Sequence, residues 1–336
     1  MFGYFRFLLA AFVMLSHINV TVQSFYLGVA AVVSFYMLAG YVVCHLLLNV
    51  FESGKSLLAR FYVERALRIF PLYLFVMLLT VVFICVTGYG RPRFEFFNTL
   101  RNILIVPLNY SMFIDNSVLT APENRLVPPA WSLGAELQAY ILLPFIIMFK
   151  PVKIIAAAVS LVVFTVACAG AIDPDTYGYR LVPGIIFIFI LGACVSKNTK
   201  NPDKADWFDR HFPSICYTII LFLLITLGIM GRLLVPYIRE TMLGILIGLP
   251  VISFIAKSNL KLPFNNFLAD MSFGLFLSHF LAVWAIDYWK LIDRNGNEAL
   301  YVFLVFGIAV LISLAGVLAV ETKIKKYRFG FSGKKA

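Results

Sequence analysis

The sequence predicts an all-α fold, a polytopic membrane helix bundle of about 10 transmembrane helices with both termini cytoplasmic. Composition, hydrophobic run length and charge placement carry that expectation. The 336 residues are 61% hydrophobic and 13% charged, with a mean hydropathy of +0.90, whereas soluble domains carry about 25% charged residues. A hydrocarbon core of about 30 Å needs about 20 apolar residues as helix, and ten such windows occur. No water-facing stretch is long enough for a separate folded domain. The expected organisation is one transmembrane domain over 1–322 and a basic cytoplasmic tail over 323–336.

The windows follow in order. Residues 4–21 begin with Arg6 before an apolar run and resemble a signal peptide, but Met14 to Ile18 offers no small-x-small cleavage site, so the segment is read as a retained span. A second window covers 25–48. The third, 69–88, opens at Pro71 after the charged stretch Lys55 to Arg68. Residues 130–149 follow Pro128 and Pro129, with Trp131 suited to a membrane interface. Windows at 152–171, 180–197 and 214–231 come next. In 236–256, Gly244-x-x-x-Gly248 with Pro250 signals close packing or a bend. Residues 270–289 hold Ser272 and His279, and 299–320 leads into the tail. Between these, 98–128 is ambiguous, because the apolar Asn102 to Met112 holds Pro107 and Asn109. It fits a loop, a re-entrant segment or a surface helix.

Orientation follows from alternating the loops between two sides. The side with Arg6 and the tail collects 19 basic and 7 acidic residues, and the other collects 9 and 10. That split obeys the positive-inside rule, so the overall charge of +11 reports topology and gives no reason to expect nucleic acid. The tail is read as part of the same topology signal. The five cysteines lie in or beside apolar runs without Cys-x-x-Cys spacing and read as buried thiols, with no metal site implied.

Polar groups inside a bilayer are costly unless paired or hydrated, which makes them functional candidates. Arg6 and His17 are 11 residues apart, close to one helix face and about 16 Å along the axis. A histidine there suits a proton relay or a general base; it equally suits a packing role. Arg65 and Arg68 share a face at i,i+3, with Lys55 and Arg60 nearby, and such guanidiniums bind phosphate or simply anchor the inner surface. Ser132 and Glu136, at i,i+4 behind Trp131, project from one face; His17 and Arg239 are possible partners for Glu136 by depth. His279 and Ser272, seven residues apart, read as a structural pair. Tyr110, Trp131 and Tyr140 are candidates to stack on a sugar ring near the outer side.

Taken together these segments resemble the acyltransferase-3 family of integral membrane acyltransferases. Arg6 and His17 match the first-span arginine and histidine of that family. Ser34 to Tyr41 is similar to its Phe-Phe-x-Leu-Ser-Gly-Tyr element, with Ala39 where serine is common. Arg65-x-x-Arg68-Ile69-x-Pro71-x-Tyr73, Trp131-Ser132-Leu133-x-x-Glu136 and Ser272 to His279 resemble three further family blocks. Phenylalanine replaces tyrosine at 273 and 276, and no lipase-like serine domain follows, so the chain resembles the stand-alone type that O-acetylates O-antigen or exopolysaccharide.

The resemblance implies transfer of an acyl group, usually acetyl, from acetyl-CoA or another acyl-CoA to a carbohydrate acceptor at a multi-pass site in the bacterial inner membrane. On that expectation Arg65 and Arg68 hold coenzyme A phosphates, Arg6 positions the thioester arm, His17 is the base, Glu136 orients His17 or contacts the acceptor, and Trp131 and Ser132 bind substrate. The rival readings are a proton-coupled secondary transporter using His17 and Glu136 and a non-catalytic membrane subunit. The first lacks paired halves with matching broken helices, and the second leaves the motif matches unexplained.

Overall fold

Each of the ten apolar windows folds as helix. The computed structural model describes residues 1–21, 24–51, 54, 56–120, 125–294 and 296–331, so Lys55 and the last five tail residues lie outside the described residues. The helices matching the windows are α1 (Phe2–His17), α2 (Leu27–His45), α3 (Leu57–Thr87), α5 (Trp131–Met148), α6 (Lys150–Cys168), α7 (Val182–Lys200), α8 (Trp207–Ile229), α9 (Ile238–Lys257), α10 (Asn265–Trp289) and α11 (Glu298–Gly316). Two more were not separate windows: α4 (Phe96–Leu104) and the tail helix α12 (Thr322–Phe331). Among the described residues, nine helical segments are long and apolar enough to cross a membrane, and α1, at 16 residues, is the shorter tenth. His17 is therefore the last residue of its helix, not a mid-span group.

Helix α3 begins well before the expected 69 and carries Pro71 in its interior. A proline there removes one donor and tends to kink the helix, yet the helix continues for another 16 residues to Thr87. The charged residues 60–68 thus form its first turns and share one rigid rod with the apolar span.

The ambiguous 98–128 stretch contains a surface helix. One face of α4 is polar and buried: Asn102, 0% exposed, donates to the carbonyls of Asn98 and Asn116, accepts from the Leu126 N–H, and its carbonyl accepts from the Tyr73 hydroxyl at 2.6 Å. The other face leaves Phe96, Phe97, Leu100 and Leu104 exposed, as in helices that lie along a membrane interface. Pro107 then sits in a 3-10 turn, Val106–Tyr110, packed against α5.

Helix α2 is the hub. A Cβ at Gly40 would stand 1.8 Å from the Phe189 carbonyl oxygen of α7, and one at Gly192 would stand 1.8 Å from that of Met37. The two backbones are in direct contact, which only glycine allows. On the other flank Gly244 and Gly248 of α9 pack on Ala30 and Ser34 of α2, so the small-residue spacing marks close packing. Helix α1 packs on α10, where Asn265 accepts from the Gly3 N–H at 2.9 Å.

Both the Met1 end and α12 lie at one end of the bundle, here called the terminal end. Two buried charge networks stand there. In one, Asp209 at 2% exposure receives Lys153 at 2.5 Å and Lys197 at 2.7 Å, while Asp206 caps α8. In the other, α12 is drawn onto α3: Arg328 bonds Glu64 at 2.7 Å and Glu321 at 2.6 Å, and Lys325 bonds Asp270 at 2.7 Å. The tail expected to serve only as a topology signal is part of the folded bundle.

Candidate active site

Two pockets meet inside the bundle. The proximal pocket, nearer the terminal end, is lined by Arg6 of α1, Arg65 and Arg68 of α3, Glu136 and Tyr140 of α5, and Tyr36 of α2. The distal pocket is lined by His17, Trp131, Tyr179, Arg180 and Tyr237. Val32, Ser132 and Phe276 border both. The first-span cation and imidazole thus fall into different chambers, joined along α1 and separated by one shared wall.

His17 is exposed to the distal pocket. Its Nδ1 lies 2.9 Å from Nε2 of His279, with the two ring planes 7° apart and their centroids separated by 5.0 Å, the spacing of imidazoles bonded edge to edge. The direction of that bond follows from what lies behind it. His279, 0% exposed, places Nδ1 3.3 Å from the Leu275 carbonyl, which can only accept. His279 Nδ1 therefore carries the proton and its Nε2 accepts. His17 then donates from Nδ1, and its Nε2, with no hydrogen-bond partner among the described residues, keeps a lone pair. Phe280 stands 5.0 Å from the His17 ring and fixes its plane.

This corrects two expectations. His279 is not the structural partner of Ser272, whose hydroxyl donates to the Ala269 carbonyl of its own helix at 2.8 Å. Glu136 does not orient His17 and does not meet Arg239: it accepts a short hydrogen bond from the Tyr140 hydroxyl in the proximal pocket, while Arg239 bonds Glu240 at 3.0 Å and the Ser24 carbonyl at 2.7 Å.

The proximal pocket concentrates three guanidiniums. Arg65, 7% exposed, bonds Glu64 at 2.5 Å and lies over the Tyr140 ring. Arg68 bonds Glu321 at 2.7 Å and Asp270 at 3.3 Å. Each is held in place by acidic partners on its far side. Arg6 lines the same chamber with no carboxylate bonded to it among the described residues. The predicted trio converges, and Arg328 joins its supporting network through Glu64 and Glu321.

Trp131, 8% exposed, presents its face to the Arg180 guanidinium at 4.4 Å and its edge region to Tyr179 at 5.1 Å. Tyr179 in turn stacks on Tyr237 at 5.5 Å. A π-helical turn, Thr176–Arg180, aims Tyr179 and Arg180 inward, and Asp175 holds Arg180 at 2.8 Å. Such bulges recur at functional sites. Ser132 donates to the Pro129 carbonyl at 3.1 Å. Of the expected sugar-stacking residues only Trp131 lines the distal pocket; Tyr140 belongs to the proximal one, and Tyr110 bonds Gln138 at 2.5 Å and lines neither. Tyr179, Arg180 and Tyr237 carried no motif that would single them out in sequence.

Comparison with known proteins agrees with the geometry. The family model described as "Acyltransferase domain" matches residues 2–318. The chain is also 34% identical over 225 residues, 66% of its length, to the whole of an uncharacterized protein of Aquifex aeolicus (strain VF5). No solved structure matches it. A bundle of apolar spanning helices matched by that domain over nearly its full length is a multi-pass membrane acyltransferase, and the chain belongs to the acyltransferase-3 family.

Proposed function

We propose that the protein is an O-acyltransferase that moves an acyl group, acetyl above all, from cytoplasmic acyl-CoA to a hydroxyl of a cell-surface or lipid-linked carbohydrate, with His17 as general base, in the bacterial inner membrane. The observation that carries this reading is the pair of chambers sharing Ser132: arginines on one side, an imidazole with a free Nε2 on the other. Coenzyme A is polyanionic, and guanidiniums bind phosphate through paired N–H donors. Arg65 and Arg68 hold those phosphates, and Arg6, on α1, steers the thioester arm toward the shared wall. In this reading the terminal end, with the basic excess, faces the cytoplasm, as the positive-inside rule favours.

In the distal chamber the aromatic faces of Trp131, Tyr179 and Tyr237 suit the apolar face of a sugar ring. His17 Nε2 takes the proton of the attacking hydroxyl and returns it to the departing thiolate. His279 is a positioning residue: it fixes the tautomer of His17 and supports the imidazolium, the part played by a carboxylate in hydrolase triads. Glu136, bonded to Tyr140 beside three guanidiniums, belongs to the donor side and offsets their charge.

Purified protein given acetyl-CoA and an oligosaccharide acceptor should release thiol and form an ester, and His17→Ala should abolish both while the protein remains inserted. Mass spectrometry of surface polysaccharide from cells with and without the gene identifies the acceptor. Near-full activity of His17→Ala removes His17 from the mechanism, and identical polysaccharides in the two strains count against a surface carbohydrate.

A further inference from the structure

Tyr36 sits midway along α2, in the wall of the proximal pocket. It is 2% exposed, and its ring stacks on Phe189 at 4.9 Å with planes 26° apart. Phe189 belongs to α7, whose backbone meets that of α2 at Gly40 and Gly192. Its hydroxyl has no hydrogen-bond partner among the described residues. A buried hydroxyl without a partner bears its full desolvation cost, and in a residue that lines a pocket that cost is relieved by an acceptor on a ligand.

The other hydroxyls that line this pocket are committed elsewhere, that of Ser272 to the Ala269 carbonyl. The Ser132 hydroxyl gives its proton to the Pro129 carbonyl, and the Tyr140 hydroxyl gives its proton to Glu136. Tyr36 is therefore the O–H in this part of the wall whose proton is uncommitted. The reacting carbonyl in the proposed transfer must lie close to Ser132, since donor and acceptor chambers meet there.

We infer that the Tyr36 hydroxyl donates a hydrogen bond to the thioester carbonyl oxygen of the acyl donor and holds the oxyanion that forms on it, an inference that rests on the acyltransfer reading above. As the acceptor oxygen bonds to the carbonyl carbon, its proton passes to His17 Nε2 and the carbonyl electron pair moves onto the oxygen facing Tyr36. When the intermediate collapses, the carbon–sulfur bond breaks and the thiolate takes the proton back from His17. Ester and free thiol result, and Tyr36 keeps its own proton throughout.

Tyr36→Phe keeps the ring and its stacking and removes only the donor. Loss of one oxyanion donor lowers turnover by about 10²-fold or more, so kcat for thiol release from acetyl-CoA should fall by about that factor with the thermal midpoint unchanged. Calorimetric binding of acetyl-CoA against S-ethyl coenzyme A, which lacks the carbonyl, supplies a readout without turnover: wild type should prefer acetyl-CoA, and Tyr36→Phe should bind both alike. A variant with wild-type kcat and wild-type preference overturns the role of Tyr36 while leaving acyltransfer intact. Wild-type protein that neither releases thiol from acetyl-CoA nor binds it overturns the acyltransfer reading, and the inference with it.

Discussion

Replacing His279 with leucine tests the two-histidine arrangement directly. The residue is 0% exposed and packed against Phe276 and Phe280, so leucine fills much of the same apolar volume while withdrawing the acceptor for His17 Nδ1. With both rings neutral, the 2.9 Å bond contributes about 0.5–1.5 kcal/mol; once His17 is protonated it becomes charge-assisted and contributes about 1.5–3 kcal/mol. Only the difference, about 1–1.5 kcal/mol, acts on the transition state, and that corresponds to about tenfold in rate. Freeing the tautomer of His17 adds to the loss, because part of the population then carries its proton on Nε2. The expected result is a fall in kcat of about 10- to 100-fold at unchanged KM for acyl-CoA. Thiol release by purified protein, measured at saturating donor and acceptor, gives both constants. His279→Gln, which restores an acceptor oxygen, should recover part of the loss. A leucine variant with wild-type kcat, or one impaired only in KM, would refute the role assigned to the pair.

Three further outcomes follow from the geometry. Arg68→Gln should raise KM for acyl-CoA about tenfold or more with kcat little changed, since a charged hydrogen bond to phosphate contributes about 1.5–3 kcal/mol; steady-state kinetics at varied donor would reveal an unaltered KM if Arg68 serves only the Glu321 and Asp270 bonds. Asp209→Asn takes the shared carboxylate from buried Lys153, which keeps Asp206 at 3.2 Å, and from half-buried Lys197 and should cost about 3 kcal/mol of stability, seen as a lower thermal midpoint in detergent; an unmoved midpoint disproves it. Gly192→Val drives a side chain into the Met37 carbonyl and should prevent accumulation of folded protein, which fluorescence-detected size exclusion would show; a monodisperse peak at wild-type yield contradicts the α2–α7 contact.

The spans were legible because bilayer thickness and helical rise fix run length, and each of the ten windows contains a helix. Boundaries were less so where charge met apolar sequence: α3 starts 12 residues before its window because a charged first stretch leaves no hydropathy signal yet propagates the same rod. The convergence of Arg6, Arg65 and Arg68 was visible only through family order. Partner choice was not, because it depends on which helices become neighbours. His17 and His279 are separated by 262 residues, and depth along a span, the one coordinate a sequence offers, pointed Glu136 toward His17 or Arg239 instead. Tyr140 was misplaced for a related reason: one helical turn beyond Glu136, it crosses from the shared wall to the terminal side. Tyr179 and Tyr237 meet through a π turn and a separate helix start, with no spacing to announce it.

The clasp between α12 and α3 bears on how the chain is made. Glu64 leaves the ribosome long before Arg328, 264 residues later, supplies the guanidinium that completes its coordination. Until then α3 carries that carboxylate beside Arg65 without the Arg328 guanidinium. The arginine mouth thus takes its final charge balance only when translation is nearly finished. A chain cut short at Glu321 would keep its apolar helices α1 to α11 and would present an unbalanced mouth, an assembly defect distinct from failed insertion.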